Sequence, residues 1–362
     1  MSLPPLEQIP PEVASLADYE PLARERLSDS AWAYLSGGAG DEWTLRENVA
    51  ALARRPLRPN VLSDLSIGST RIDLLGLSLA SPILVAPVAF QKLFHPDGEL
   101  ATVLAAGALD TAMVVSTQAT LSIEEIAAHA QAPLWFQLYL QHDRAFTEAL
   151  VRRAERAGYR ALVVTVDAPV NGARNREQRA GFALPPDIEA VNLAELRPLP
   201  PGPPGTLLFG TPLTAAAPGW SDIAWLRGLT DLPILLKGVL HPADARRAIE
   251  AGANGIIVSN HGGRSLDGVA ATIDLLEPVV EAVAGAAPIL FDGGIRRGVD
   301  IVRALALGAS AVLVGRPCMF GLAAAGAVGV AHVLRILRGE LELAMALTGR
   351  ATCAAIDRDL LA

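Results

Sequence analysis

Cysteine is almost absent: the 362 residues contain two, Cys318 and Cys353, too few and too far apart for a disulfide framework or a zinc site. Both read as small packing residues. No metal is expected. Positive charge is also short, with 30 Lys and Arg against 38 Asp and Glu for a net charge of -8. The basic residues form no stripe, which argues against a nucleic-acid partner. Residues Met1 to Pro10 lack the charged start and apolar core of a signal peptide. The expectation is further that no uncharged apolar run reaches the roughly 18 residues of a membrane span. These absences point to a cytoplasmic location, with no membrane partner. At 51% hydrophobic and 19% charged residues, the chain has ample side chain for a core and no signature of disorder.

A repeated unit organises what is present. An alanine-rich helix closes on a small residue and Gly, and an apolar run follows almost at once. Copies occur at Ala106-Gly107-Ala108 before Met113 to Ser116, at Ala157-Gly158-Tyr159 before Ala161 to Asp167, at Ala251-Gly252-Ala253 before Gly255 to Asn260, and at Leu307-Gly308-Ala309 before Ala311 to Gly315. Gly accepts the left-handed conformation past a helix end, and continuous apolar strands are those covered on both faces. Further runs at Ile83 to Pro87, Leu134 to Tyr139, Pro233 to Lys237 and Pro288 to Asp292 bring the strands to eight. Ser122-Ile-Glu-Glu125 reads as a capping box, and Pro242 suits a first helical turn.

Alternating units of this number predict an α/β fold, a closed (β/α)8 TIM barrel forming one domain over residues 1–362. Residues 1 to about 60 read as a helical N-terminal extension ending in the glycine-rich Leu35 to Gly40. Residues 184–220, rich in Pro and Gly, read as a long loop after strand 4, leaving at the carboxyl face where barrel active sites sit.

Polar residues interrupt the apolar runs at that same end: Ser116, Gln137 with Tyr139, Thr165 with Asp167, Lys237, Ser259 to His261, Asp292, and Gly315-Arg316. Each would cost about 1–3 kcal/mol if buried unpaired, so their concurrence needs a reason beyond folding. Taken singly, each has a plainer reading: His261 a satisfied or surface histidine, Lys237 a solvated strand-end lysine, Asp167 a loop cap, Arg174 and Arg264 surface charges. His95, His129, His142, His241 and His332 keep that plain reading. Asp292-Gly-Gly-Ile-Arg-Arg297 and Val314-Gly-Arg-Pro317 place glycines and arginines after the last two strands, where barrels commonly bind a phosphate. No G-x-G-x-x-G follows a strand, so a mononucleotide is the economical cofactor.

These motifs, with Asn260-His-Gly-Gly-Arg264, Leu266-Asp267, Lys237-Gly-Val, Trp135 to Tyr139 and Thr165-Val-Asp167, resemble those of the FMN-dependent 2-hydroxy acid oxidases and dehydrogenases, in order from about Asp18 to the C-terminus. The resemblance implies FMN as cofactor. Its contacts would come from Pro87, Val88, Ala89, Ser116, Gln137, Thr165, Lys237 and Ser259, with the phosphate against Asp292, Gly293, Gly294, Arg296, Gly315 and Arg316. It implies His261 as general base, Asp167 as its partner, and Lys237 as the charge opposite the reduced flavin. Arg174 and Arg264 would clamp the substrate carboxylate, and Tyr34 and Tyr139 would add hydroxyl contacts.

The reaction implied is oxidation of an (S)-2-hydroxy acid of the lactate, glycolate or mandelate class to the 2-oxo acid. Ala89 matches the oxidases of the family, which implies oxygen as acceptor and hydrogen peroxide as product; a homo-oligomer, tetramer or octamer, is implied likewise. Val88, Gln118 and Ser265 depart from common family residues, the last two leaving substrate size open. The alternatives are a dehydrogenase serving a quinone or cytochrome, an FMN-barrel isomerase, and a barrel aldolase with Lys237 as Schiff-base nucleophile.

Overall fold

The computed structural model describes residues 3–362. Three helices lead in: α1 (Tyr19–Arg26), α2 (Asp29–Ser36) and α3 (Trp43–Ala53). A short antiparallel hairpin, β1 (Ile72–Leu74) and β2 (Leu77–Leu79), precedes the barrel. Alternation then begins with β3 (Ile83–Val85), α4 (Gly98–Ala108), β4 (Met113–Val115), α5 (Ile123–Ala128), β5 (Leu134–Leu138), α6 (Arg144–Arg156) and β6 (Leu162–Thr165). The connection from β6 to α9, residues 166–219, includes the expected long loop; it carries α7 (Asn175–Arg179) and α8 (Pro212–Ala215), and α9 (Trp220–Leu229), which begins at the last residue of that expected loop, leads back to the sheet. The remaining elements are β7 (Ile234–Lys237), α10 (Pro242–Glu250), β8 (Gly255–Val258), α11 (Thr272–Val283), β9 (Ile289–Asp292), α12 (Gly298–Ala306), β10 (Ala311–Val314) and α13 (Arg316–Leu347).

The strands β3 to β10 pair in parallel and in sequence order, and β10 returns to β3 to close the barrel. All eight expected strands are present. Of the four glycines expected to close helices, Gly158, Gly252 and Gly308 are left-handed, with φ of 85°, 93° and 97°. The first copy departs: Gly107 lies within α4, and Asp110 takes the positive φ. A Cβ on Gly107 would stand 2.9 Å from Cβ of Gln131, so that glycine serves close packing. Ser122 Oγ accepts from Glu125 N and Pro242 opens α10, as expected.

Inside the barrel, Leu84, Val114, Trp135, Val163, Leu235, Ile257, Leu290 and Leu313 form one buried cluster, closed at the amino end by Leu74, Leu77 and Leu79 of the hairpin. Strand side chains alternate faces with a period of two. Two residues beyond the core positions of β4 to β10 lie Ser116, Gln137, Thr165, Lys237, Ser259, Asp292 and Gly315, and two beyond Leu84 of β3 lies Ala86. The pleat that fills the core with Leu and Val therefore delivers the polar set to the barrel's carboxyl mouth. The intervening residues face outward into a second, larger cluster under the helices.

One expectation needs correction. Residues 317–334 carry no Lys, Arg, Asp or Glu, and α13 is long and apolar enough to cross a membrane by composition. It is instead a core helix, with 67% of its most apolar window buried. Non-helical Ala325 and Gly326 break it, and it packs against α4, α12 and α1. Burial inside the fold needs the same apolar composition as burial in lipid.

Candidate active site

A cavity of about 470 Å³ opens at the carboxyl mouth of the barrel. Of the expected site residues, Tyr34, Pro87, Val88, Ala89, Ser116, Gln137, Tyr139, Thr165, Arg174, Lys237, His261, Arg264, Asp292, Gly293, Gly294, Arg296, Gly315 and Arg316 all line it. Asp167 and Ser259 do not: they stand behind the lining and hold its members.

The mouth is cross-linked from strand to strand. Gln137 Oε1 accepts from Ser116 Oγ at 3.3 Å and Thr117 N at 3.1 Å, while its Nε2 donates to Thr165 Oγ1 at 3.1 Å. Lys237 Nζ donates to Ser259 Oγ at 2.8 Å and lies 3.2 Å from Asp292 Oδ2. Burial pulls the Lys237 pKa down, but Asp292, Asp167 and Tyr139 outweigh it, and the net direction is up. The ammonium is thereby held charged. A Schiff-base lysine needs the opposite shift.

His261 follows β8 in a run of left-handed residues, with φ of 58° at His261, 60° at Gly262 and 74° at Gly263. Such a backbone is costly for a histidine and persists only where its surroundings fix it. Ser259 Oγ accepts from His261 N at 3.1 Å, and Asn260 makes a reciprocal amide pair with Asn48 of α3 at 2.9 and 2.8 Å. His261 Nδ1 is 2.9 Å from Asp167 Oδ1. A carboxylate only accepts, so Nδ1 carries the proton and Nε2 is left as the free base on the cavity side.

Burial lowers the His261 pKa, with the Asp167 hydrogen bond and charge opposing. The imidazole is therefore neutral at rest. For Asp167, burial pushes upward, but the hydrogen bond and charge of His261 and the Lys237 ammonium prevail, keeping it ionised. The Tyr139 phenol is pushed up to about 12 by burial, so it serves as a neutral hydroxyl.

In the lining of the same cavity, the two arginines meet at a residue the sequence reading missed. Glu177 Oε1 accepts from Arg174 NH1 at 3.2 Å and from Arg264 NH2 at 3.1 Å. Arg264 NH1 donates to Tyr34 O and Gly37 O, and its guanidinium lies 4.9 Å from the centroid of the Tyr34 ring. Tyr34 in turn stacks on Phe182, centroids 4.8 Å apart. Arg174 Nε, Ser265 Oγ and Asp167 Oδ2 are buried without a partner. At Arg174 Nε and Ser265 Oγ, both on cavity-lining residues, that is donor capacity left for a ligand. In sequence, Arg174 and Glu177 at i,i+3 look like a surface ion pair, which is why Glu177 gave no signal.

The far end of the cavity suits a phosphate. Arg296 and Arg316 line it with no carboxylate in salt-bridge contact among the described residues; Arg316 donates instead to the carbonyls of Leu35, Gly262 and Gly37. Burial lowers the pKa of both and, for Arg316, carries it well below the ordinary value, with Arg264 and Arg296 adding to it. Two crowded guanidinium groups without an anion favour a dianionic ligand. Gly293 and Gly294 take φ of 104° and 90°, and a Cβ on Gly294 would stand 2.2 Å from Asn48 O. The backbone is pressed onto α3 on one side and borders the cavity on the other. Asp292 Oδ1 is buried without a partner, an acceptor that the hydroxyls of a ribityl chain would satisfy. The residues present fit FMN.

Comparison with known proteins agrees with this geometry. The family model described as FMN-dependent dehydrogenase matches residues 23–362. An L-lactate oxidase of Nostoc sp. is 48% identical, the match covering 96% of this chain and 97% of the relative. Glycolate oxidase 1 of Zea mays is 46% identical over 96% of this chain and 95% of its own length. Among solved structures, mandelate oxidase with benzoyl-formic acid superposes with a TM-score of 0.88 at 45% identity, covering 96% of this chain and 98% of that one.

Proposed function

This chain belongs to the FMN-dependent dehydrogenase family, and from that premise we propose that it oxidises an (S)-2-hydroxy acid to the 2-oxo acid with oxygen as electron acceptor. The observation that carries the proposal is one cavity lined both by His261, whose Nδ1 is tied to Asp167, and by a pair of arginines. Oxidising an alcohol next to a carboxylate needs a grip on the carboxylate, a base for the hydroxyl proton and a two-electron sink. FMN, when bound, would supply the sink, and with oxygen as acceptor the second product would be hydrogen peroxide.

The chain's own residues supply the rest. Arg264 and Arg174 hold the substrate carboxylate, as planar forks suited to bidentate contact. Tyr34 and Tyr139 donate to the carboxylate and hydroxyl. His261 Nε2 takes the hydroxyl proton, and the resulting imidazolium is stabilised by Asp167 through Nδ1. Lys237, fixed by Ser259 and Asp292, would place a positive charge against the negative charge of a reduced cofactor. Pro87, Val88, Ala89, Ser116, Gln137 and Thr165 would bed the flavin ring. Gly293, Gly294, Arg296, Gly315 and Arg316 would take the phosphate, and Asp292, a carboxylate that suits hydroxyls rather than an anion, would take the ribityl chain.

Oxygen as acceptor is supported by the oxidase relatives and by Ala89 at the cavity wall. Lactate, glycolate and mandelate are the substrate classes those relatives suggest. The test is anaerobic flavin reduction by each acid, followed by admission of oxygen or of a quinone analogue. Rapid reoxidation with stoichiometric peroxide is expected. Slow reoxidation in air beside rapid turnover with the quinone would make the enzyme a dehydrogenase.

A further inference from the structure

Glu177 lines the cavity with the two arginines, and no step of the chemistry above uses it. It sits on α7, whose place is set from both sides. Arg176, the preceding residue, donates to Ser36 Oγ at 3.1 Å and pairs with Glu42, which ties α7 to the N-terminal helices. Beyond it, Phe182 N donates to Glu177 O at 2.9 Å, and the Phe182 ring lies on Tyr34. The carboxylate is held between these ties, its side chain 14% exposed.

What Glu177 contributes there is charge as much as geometry. Arg174 NH1 and Arg264 NH2 both donate to the single oxygen Oε1, and Arg174 Nε stays buried without a partner. The arginines bring two positive charges and Glu177 cancels one, so the trio offers an incoming acid one unit. One carboxylate neutralises it. The other charges around the reacting centre are already matched: Lys237 lies against Asp292, and Asp167 faces the imidazolium that forms at His261. Arg296 and Arg316 belong to the phosphate end. A second carboxylate on the substrate would therefore lose its water without gaining a cation, and it would meet the charge of Glu177.

We propose that Glu177 is a specificity-determining residue, whose charge on the arginine clamp admits 2-hydroxy acids with one carboxylate and rejects 2-hydroxy diacids. The inference rests on the function proposed above, with the substrate carboxylate on Arg174 and Arg264. At an effective dielectric constant of about 20, a unit charge about 8 Å away alters the affinity for an anion by more than about tenfold.

The test uses the holoenzyme and three acids of one backbone: (S)-2-hydroxybutanoate, (S)-malate and the 4-methyl ester of (S)-malate. Malate puts a second carboxylate where the first acid has a methyl group, and the ester keeps that bulk without the charge. Anaerobic flavin reduction gives kcat/KM for each. In the wild type, malate is expected to fall at least about tenfold below its ester. In Glu177→Gln the amide oxygen still accepts from both arginines, so the clamp keeps its shape and loses only the charge. The ratio of malate to ester should then rise at least about tenfold, while the ratio of ester to 2-hydroxybutanoate stays within twofold. Glu177→Asp keeps the charge and should keep the wild-type ratio even where its absolute rates fall. If Glu177→Gln does not retain FMN, Glu177→Ala is read in its place, with the same ratio expected to rise.

Binding of butanoate and succinate, which lack the hydroxyl, is followed in parallel by the perturbation of the flavin spectrum and should show the same preference and the same relief. Wild-type malate oxidation as efficient as that of the ester would overturn the proposal. So would a Glu177→Gln variant that slows all three acids equally, the mark of a purely structural residue, or a Glu177→Asp variant that loses the discrimination. Absence of flavin reduction by every acid, with butanoate still bound more tightly than succinate, would instead refute the reaction and leave the charge selection standing.

Discussion

Asp167→Asn separates the task of Asp167 from that of His261. Asp167 Oδ1 lies 2.9 Å from His261 Nδ1, and the aspartate side chain is 10% exposed. An asparagine can keep the same contact through its carbonyl oxygen, so the imidazole retains its tautomer and Nε2 remains a base. What disappears is the negative charge facing the imidazolium that forms as the substrate proton arrives. A hydrogen bond to a charged partner contributes about 1.5–3 kcal/mol against about 1 for a neutral one, a difference of about 0.5–2 kcal/mol, and 1.36 kcal/mol is a factor of ten. The rate of flavin reduction is therefore expected to fall by about 2- to 30-fold.

The pH profile carries an independent sign. In the free enzyme His261 must be neutral to act, so kcat/KM is lost as pH falls through its pKa. That pKa already lies below the ordinary value because of burial, and Asp167 is what partly restores it. Removing the carboxylate must lower it again. The acid limb of kcat/KM is thus expected to move to lower pH while the plateau drops. Stopped-flow reduction across pH, with (S)-lactate and with a longer acid, measures both. An unchanged plateau, or an acid limb displaced upward, would refute the pairing of charge and base argued here.

Three further outcomes follow from the site. Lys237→Met leaves Asp292 buried beside Ser259 without its cation; breaking such a pair costs about 3–5 kcal/mol, which urea unfolding of the variant should register together with weaker FMN retention. Arg264→Lys keeps the charge but loses the fork that reaches Tyr34 O, Gly37 O and Glu177. It should raise the KM for free acids by at least about tenfold, and the methyl ester of the same acid should be a poor substrate of the wild type. Gly294→Ala, at φ +90° and with its new Cβ 2.2 Å from Asn48 O, must push α3 away, and should lower both the Tm and the affinity for FMN by amounts visible in thermal unfolding and fluorescence titration.

How much of this was legible in the sequence depends on the range of the signal. Strand ends and glycine stops are local patterns, and all eight strands fell where the apolar runs placed them. The inward polar layer was legible for the same reason, since period two carries each strand from Leu235 to Lys237 or from Leu290 to Asp292. The parts that escaped are long-range pairings: Asn48 with Asn260, separated by 212 positions, and Asn192, whose side chain accepts from Ile123 N and donates to Leu121 O at the start of α5. Neither has a local pattern to announce it. Glu177 escaped because its spacing from Arg174 is that of an ordinary helical ion pair. The uncharged run at 317–334 was misjudged, and hydropathy alone does not distinguish a buried helix from a spanning one.

The most direct measurement is anaerobic reduction of the FMN-loaded protein by an (S)-2-hydroxy acid, compared between wild type and His261→Gln at equal flavin occupancy. The wild type should bleach rapidly and recover its colour in oxygen with one peroxide per acid consumed. The variant should hold FMN and bind the acid, yet reduce at least about a hundredfold more slowly, the low end for loss of a general base. Reduction of His261→Gln at near wild-type rate would contradict the account.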